Sequence, residues 1–477
     1  MSIEPAKRRL LLEELVTLKE QSGGEDRTTF LPLAAHRLAL REEALVIHGP
    51  RGCGKSKFFR LLMDTKSNSW VLDLLGVPRT HVKFCEGFSE HSLRHLTVEA
   101  LEKFPSRDMA TLRLMWVTHL ACRLIEEGHA EAGELRPIYE IWRGDRARVD
   151  AWVAETKEKS AAVLAWLDRV DRGLTTEIIV LYDHVDRIGV REPAARRAFS
   201  SALVGLWLSL MQRYRRLRAK IFLSDVQHES AKSISPYLPA HSVPLAWDQQ
   251  SLYRLLLRRM GDKKELRAWL QNSEFPVKWD AGVGCLPPDP LPEEGPVSQR
   301  TLGERLIGVV LVEGLKQSFT YRFLIFRLQD AKRRVVPSSL LNLLAIAAQD
   351  ALKKGPRALG AQLLTQSEVL SARRVTAERR IGDLIVEYPA VARLRTLEDR
   401  SVPMRQETLR GLLSSADIQD GFGSDGAAVC DELVRCGVLI QVRHGARGRH
   451  DAECSEFDLP DLYVPGIRGL KRSLNPQ

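Results

Sequence analysis

Long apolar runs are missing from this 477-residue chain: none approaches the ~18 to 20 residues that a membrane-spanning helix needs. Cysteine is scarce. The seven cysteines, at positions 53, 85, 122, 285, 430, 436 and 454, are odd in number and form no CxxC pair. A disulfide framework and a thiolate zinc site are therefore not expected, and this usage fits a reducing, cytoplasmic location. His48, His119 and His228 lack the spacing of metal ligands. No unit recurs at a fixed period, which excludes a repeat array. The N-terminal stretch MSIEPAKRRLLLEELVTLKEQ has no uninterrupted apolar core, because glutamates break its apolar positions at helical spacing. It reads as an amphipathic helix and not as a signal peptide.

What is present fits a globular chain of several modules. Apolar residues make up 44% and charged residues 28%, and the length suggests about three domains. The formal charge of +10 is compatible with contact to a nucleic acid and equally with none.

The stretch LVIHGPRGCGKSKFF, residues 45–59, carries the sharpest chemical signal. An apolar strand from Ala44 to His48 stops at Gly49, and a glycine-rich turn leads into a helix at Lys55. Gly49, Gly54, Lys55 and Ser56 satisfy GxxxxGK[ST]. Glycines let successive backbone N–H groups point into one hollow, and the helix N-terminus behind them adds partial positive charge. The segment Gly49, Pro50, Arg51, Gly52, Cys53, Gly54, Lys55, Ser56 and Lys57 is thus expected to hold the phosphates of ATP. Lys55 would reach the β and γ phosphates, and the Ser56 hydroxyl would help hold Mg²⁺.

Such a loop needs an acid at the end of a neighbouring strand. In TTEIIVLYDHVDRIG the run Ile178–Tyr182 has the apolar, β-branched character of a strand buried on both faces, and Asp183 ends it. Asp183 is therefore the second expected Mg²⁺ contact. Many ATPases place a glutamate next, to order the attacking water; here His184 stands there. Asp186, three residues on, either takes that task or pairs with Arg187. The short strand AKIFLSD ends in Ser224 and Asp225, which either sense the γ-phosphate or begin a turn. Between Val226 and Trp247 there is no arginine, so an arginine finger has to come from elsewhere.

Strands HVKFCEGF, EIIVLY, AKIFL and HSVPLAW alternate with helices, which predicts an α/β core with a parallel sheet. Residues from about 90 to 172 read as a long helical insertion, with Leu112, Trp116 and Leu120 at i, i+4 and i+8. Residues 274–300, rich in proline and glycine, read as a surface loop. Near the C-terminus, helices RQETLRGLLSSA and DGAAVCDELVRCG precede strand VLIQVR, a tip HGARGRHDAE and a returning CSEFDL. Two helices followed by a hairpin suggest a winged helix. Asp425, Asp431 and Glu432 are expected on the exposed faces of the second helix, against one Arg435, a poor match for DNA phosphates. The tip, with Arg443, Arg447 and Arg449, is the better nucleic-acid candidate, the alternative being a domain used for packing or partner binding.

Together these motifs resemble the prokaryotic AAA+/STAND-like P-loop ATPases with a helical lid and a C-terminal winged helix. GPRGCGKS resembles their Walker A, IIVLYDHVDR their Walker B and KIFLSD their sensor-1 strand. VPLAWDQQSLYRLLLRRM is similar to their strand-to-lid junction, with Trp247 and Arg258 in matching places, and SARRVTAERRIGDLIVEY to the late lid. The matches run with gaps from Phe30 to Tyr388. Pro337 and Ser338 stand where lids of the group often read PR, which departs from the usual sensor-2 arginine. The resemblance implies an N-terminal helix over 1–29, a P-loop core over 30–248, a helical lid and connector over 249–400, and a winged-helix domain over 401–477. It further implies an ATP-governed switch that assembles with a nucleic acid, an effector protein or copies of itself, including roles in defence against phage or plasmids. The alternatives are an origin-recognition-like DNA-binding loader and a nucleotide-bound scaffold without turnover.

Overall fold

The computed structural model describes residues 3–18, 30–78, 82–89, 96–190, 192–272, 295–313, 316–355, 360–415, 418–442 and 456–473. The chain forms two compact units. One comprises Pro32–Pro50 and Gly54–Leu245; the other comprises Met1–Leu31, Arg51–Cys53 and Ala246–Gln477.

The first unit is built on a five-stranded parallel sheet. Its strands are β1 (Val46–His48), β2 (Val82–Phe88), β3 (Glu177–Tyr182), β4 (Leu217–Leu223) and β5 (Ser242–Pro244), in the order β2-β3-β4-β1-β5. β3 pairs with β2 and β4 on its two sides, Ile178 standing beside Lys83 and Leu217. Ile178 to Tyr182 are buried, as a strand covered on both faces requires. Gly87 of β2 lies close against β3: a Cβ there would sit 2.6 Å from the Tyr182 ring. Because all strands run the same way, His48, Phe88, Asp183, Ser224 and Pro244 emerge at one edge.

The segment expected as a helical insertion contains five α-helices between Val98 and Gly173. The longest, Met109–Glu126, buries Leu112, Trp116 and Leu120 completely. Trp116 packs edge-on against Phe88 and Tyr182, and its indole N–H donates to the Phe199 carbonyl at 3.2 Å. His119 ties the same helix to the sheet. Its Nε2 lies 2.8 Å from the Gly87 carbonyl, and its Nδ1 accepts from the Trp142 indole at 3.2 Å. A buried indole needs such an acceptor, and an unpaired one costs ~1 to 3 kcal/mol.

The second unit is mainly helical. The N-terminal helix is Pro5–Thr17, and it packs on helix Pro337–Lys354; it is less amphipathic than expected, because its buried face holds Arg8 beside Leu11, Leu12 and Leu15 while Leu10 is exposed. Arg8 is its anchor. The guanidinium meets both Glu368 oxygens at 3.0 and 2.9 Å and donates to the Leu363 carbonyl, while Glu368 also accepts from Thr365 N in the capping box of helix Gln366–Glu387. Residues 51–53 belong to this unit: Arg380 donates to the Arg51 carbonyl at 2.8 Å and the Trp247 indole to the Cys53 carbonyl at 2.7 Å.

At the C-terminus, helices Gln406–Ser414 and Gly426–Arg435 are followed by strands Ile440–Val442 and Glu456–Asp458. These strands pair antiparallel, and Met404–Arg405 forms the third member of the sheet. Glu432 does not face solvent but is 1% exposed beside Arg435, because its turn faces the buried side of the helix. Asp425 is used as the helix N-cap, accepting from Ala427 N and Ala428 N. Arg443, Arg447 and Arg449 lie outside the described residues, as does the expected surface loop up to residue 294; its last part, 295–300, is not loop but the first half of helix Gly295–Leu306. Among the described residues no helix is long and apolar enough to cross a membrane.

Candidate functional site

The glycine turn after β1 adopts the backbone its composition demands. Gly52 has φ +86° and Gly54 φ +107°, values that L side chains avoid, and Gly54 is the N-cap of helix Lys55–Met63. A Cβ at Gly54 would meet nothing within 4 Å. Conformation, not crowding, therefore excludes other residues there, and open space lies over the helix N-terminus. The Lys55 ammonium donates to the carbonyls of Gly49 at 2.6 Å and Pro50 at 3.3 Å. It thus arches over the loop whose N–H groups would meet a phosphate.

Asp183 leaves β3 at the same edge. It is 2% exposed; its backbone N donates to the Phe88 carbonyl, and its Oδ1 accepts from His184 N at 2.9 Å. Its Oδ2 is buried without a hydrogen bond. A buried carboxylate oxygen left in this state is costly unless a cation completes it, so the residues fit a divalent ion at this position. His184 adopts φ +60°, with Nδ1 3.3 Å from Asp183 Oδ2 and Nε2 3.3 Å from Ser56 Oγ. Lys55, Ser56, Asp183 and His184 are thereby brought together from two segments far apart in sequence.

Asp186 and Asp225 sit at the same strand edge and make contacts of their own. Asp186, 7% exposed, accepts from Ser224 N at 3.1 Å, tying the turn after β3 to the end of β4. Ser224 N-caps helix Asp225–Lys232, its hydroxyl accepting from Gln227 N. The Asp225 carboxylate lies 2.7 Å from His48 Nδ1.

His48 stacks on His228 with ring centroids 3.7 Å apart, and His228 Nε2 lies 2.9 Å from Ser242 Oγ. That hydroxyl donates to the Leu238 carbonyl, so it accepts from His228. Burial, reinforced by His48, pushes the His228 pKa down to about 4 and keeps the ring neutral. Spacing in sequence held no hint of this pair, since the two rings meet only because β1 and the helix after β4 are neighbours. A further group, Cys85, Glu127 and His129, has its potential ligand atoms within 4.8 Å of one another. Arg123 already engages Glu127, and burial drives the Cys85 pKa upward and so favours the thiol. The sheet's opposite edge has a cavity of about 910 Å³, lined by Arg41, Glu42, Val82, Glu177 and Val243 among others; neither Lys55 nor Asp183 lines it.

The chain matches no protein-family model. No curated protein matches it either. Among solved structures, the Aeropyrum pernix ORC2 protein in its ADPNP–ADP complexes aligns over 94% of this chain and 94% of that one, with 13% identity and a TM-score of 0.39. The ADP form of the same protein aligns over 95% of this chain and 94% of that one, with 12% identity and a TM-score of 0.34. A likeness at these scores carries no conclusion about function.

Proposed function

We propose that this chain is an ATP-binding switch of the P-loop class, AAA+/STAND-like, that turns over slowly and governs assembly with a nucleic acid or an effector protein. The observation that carries the reading is the convergence of Lys55 and Ser56, at the N-terminus of a helix entered through Gly54, with the buried Asp183 and its unfilled Oδ2. The loop N–H groups and the Lys55 ammonium bind the phosphates, and the turn after Gly49 positions them. Mg²⁺, when bound through Ser56 and Asp183, would neutralise charge on the β and γ phosphates.

The surroundings of that centre support slow turnover. The residue after Asp183 is an imidazole turned toward Ser56, and the Asp186 carboxylate is engaged by Ser224 N. The position after Asp183 thus lacks a carboxylate to order a water molecule, and Asp186 has one oxygen already engaged. The same observation favours a second reading, a nucleotide-bound scaffold without turnover. A ligand moves such a switch only as far as it binds one state better than the other. The partner class, a role in defence against phage or plasmids and the origin-recognition alternative rest on the motif resemblance alone.

Binding of fluorescent ADP and ATP to the wild type and Lys55→Ala tests the nucleotide reading. Loss of two charge-assisted contacts predicts an affinity lower by about 100-fold, and equal affinity would refute it. Phosphate release with and without duplex DNA, for the wild type and Asp186→Ala, separates a slow ATPase from a scaffold. A scaffold shows no turnover in any condition. Solution mass with and without ATP reads whether copies assemble.

A further inference from the structure

We propose that His184 is a direct ligand of the divalent cation at this P-loop, with Asp183 behind it, and that the site therefore selects Mn²⁺ over Mg²⁺. This deepens the nucleotide-binding reading and rests on it. The expected pair of metal contacts is Ser56 and Asp183; the geometry points instead to Ser56 and His184, with the Asp183 carboxylate supporting the imidazole.

Three features converge. His184 holds a left-handed backbone at φ +60°, a conformation that costs a non-glycine residue ~1 to 2 kcal/mol and persists where the surroundings enforce it. In that conformation its Nε2 stands 3.3 Å from Ser56 Oγ. This is long for a hydrogen bond, but two adjacent ligands on one octahedral ion at ~2.1 Å lie ~3 Å apart. A small closure would let one ion take both atoms.

The other ring nitrogen supplies the second feature. Histidines that bind metals commonly direct their remaining nitrogen at a carboxylate, which fixes the tautomer and raises the basicity of the ligating atom. His184 Nδ1 is 3.3 Å from Asp183 Oδ2, and that oxygen is buried without a hydrogen bond. Asp183 is itself held in place by its backbone N on Phe88 and by His184 N on its Oδ1. The arrangement has the order of metal ligand, imidazole and carboxylate, built from two consecutive residues.

The third feature is donor chemistry. Mg²⁺ prefers an all-oxygen shell, whereas imidazole nitrogen shifts preference toward first-row transition ions. Mn²⁺ accepts phosphate and hydroxyl oxygens as readily as Mg²⁺ does, and tolerates a nitrogen beside them. A site made of Ser56 Oγ, His184 Nε2 and nucleotide phosphates should accordingly favour Mn²⁺.

The test uses the full chain with ADP. Pulsed EPR of bound Mn²⁺ reads whether an imidazole nitrogen is coupled to the ion, and competition measured by continuous-wave EPR gives the Mg²⁺ concentration that displaces half of it. Two variants serve: His184→Asn, since asparagine tolerates the left-handed backbone, and His184→Glu, which installs an oxygen ligand. Thermal melts establish that both fold. The expected result is nitrogen coupling in the wild type that both variants lose, with the Mg²⁺ needed for half displacement falling about tenfold in His184→Asn. Absence of nitrogen coupling in the wild-type ADP–Mn²⁺ complex overturns the proposal, as does an unchanged Mn²⁺/Mg²⁺ competition in both folded variants. If the wild type does not bind ADP, measured separately without metal, the nucleotide reading fails and this inference falls with it.

Discussion

Two buried aspartates, one in each unit, show how differently the same side chain can be used. Asp420, in the second unit, is sealed. Arg393 meets its oxygens with Nε at 2.6 Å and Nη2 at 2.7 Å, both side chains are fully inaccessible, and the arginine also donates to the carbonyls of Leu413 and Gly423. Asp183, at the sheet edge of the first unit, is just as hidden but has one oxygen unfilled. The first arrangement is complete without any ligand and serves the fold. The second leaves a buried carboxylate oxygen without a hydrogen bond, 3.3 Å from the His184 imidazole, at the edge where the proposed nucleotide site lies.

The largest expected effect tests the sealed side of that contrast. Asp420→Asn leaves the Arg393 guanidinium buried without a counter-charge, and should destabilise the second unit by about 3 to 5 kcal/mol in urea unfolding. The corresponding change at the open side should do the opposite. Asp183→Asn keeps an acceptor for His184 N and removes an uncompensated charge, so the ligand-free protein should hold its stability within about 1 kcal/mol while losing cation binding by calorimetry. Equal destabilisation by both substitutions would show that the two aspartates serve the fold alike.

A middle-sized effect concerns buried histidines near the site. Burial lowers the His36 pKa to about 3 and the His228 pKa to about 4. Their unfolded values lie near ~6.5, so between these limits the unfolded chain binds more protons and stability falls as pH is lowered. Each ring should contribute on the order of 1.4 kcal/mol per pH unit, His228 down to about pH 4 and His36 further. Above pH 6.5 neither adds a slope. Urea midpoints at pH 7.5, 6.5 and 5.5 check the direction, and His228→Gln should flatten the curve.

The smallest effect is expected at Arg9, set against its sealed neighbour on the same helix. Arg8 is 2% exposed on Glu368, whereas the next residue, Arg9, pairs with Glu13 at 3.0 Å in open solvent. Arg8→Ala should cost several kcal/mol and Arg9→Ala only about 0.3 to 0.5 kcal/mol, which thermal melts resolve as a clear shift against almost none.

Local pattern made much of the first unit legible. The Ile178–Tyr182 run could hardly be anything but a doubly covered strand, and the helical phase of Leu112, Trp116 and Leu120 matches their complete burial. The loop from Gly49 to Ser56 was readable because its glycines answer a backbone requirement that is local. Glu432 was misplaced for an equally physical reason. A ten-residue helix with acids on several faces does not announce which face another element will cover. Ser224 and Asp225 were readable as a pair with two uses, of which Ser224 takes the capping one in this fold.

By itself the sequence determined the alternation of strands and helices, the left-handed glycines of the loop and the lysine and serine that follow them. All of these depend on residues a few positions apart. Only the tertiary structure decided that His184 faces Ser56 across 128 residues, that His48 stacks on His228, that Asp186 is occupied by Ser224 N and that Arg8 seals Glu368. Those pairings arise from which strands become neighbours in a parallel sheet and which helices cover them. Burial then makes each one matter, because a polar atom removed from water must find its partner wherever the fold has put it.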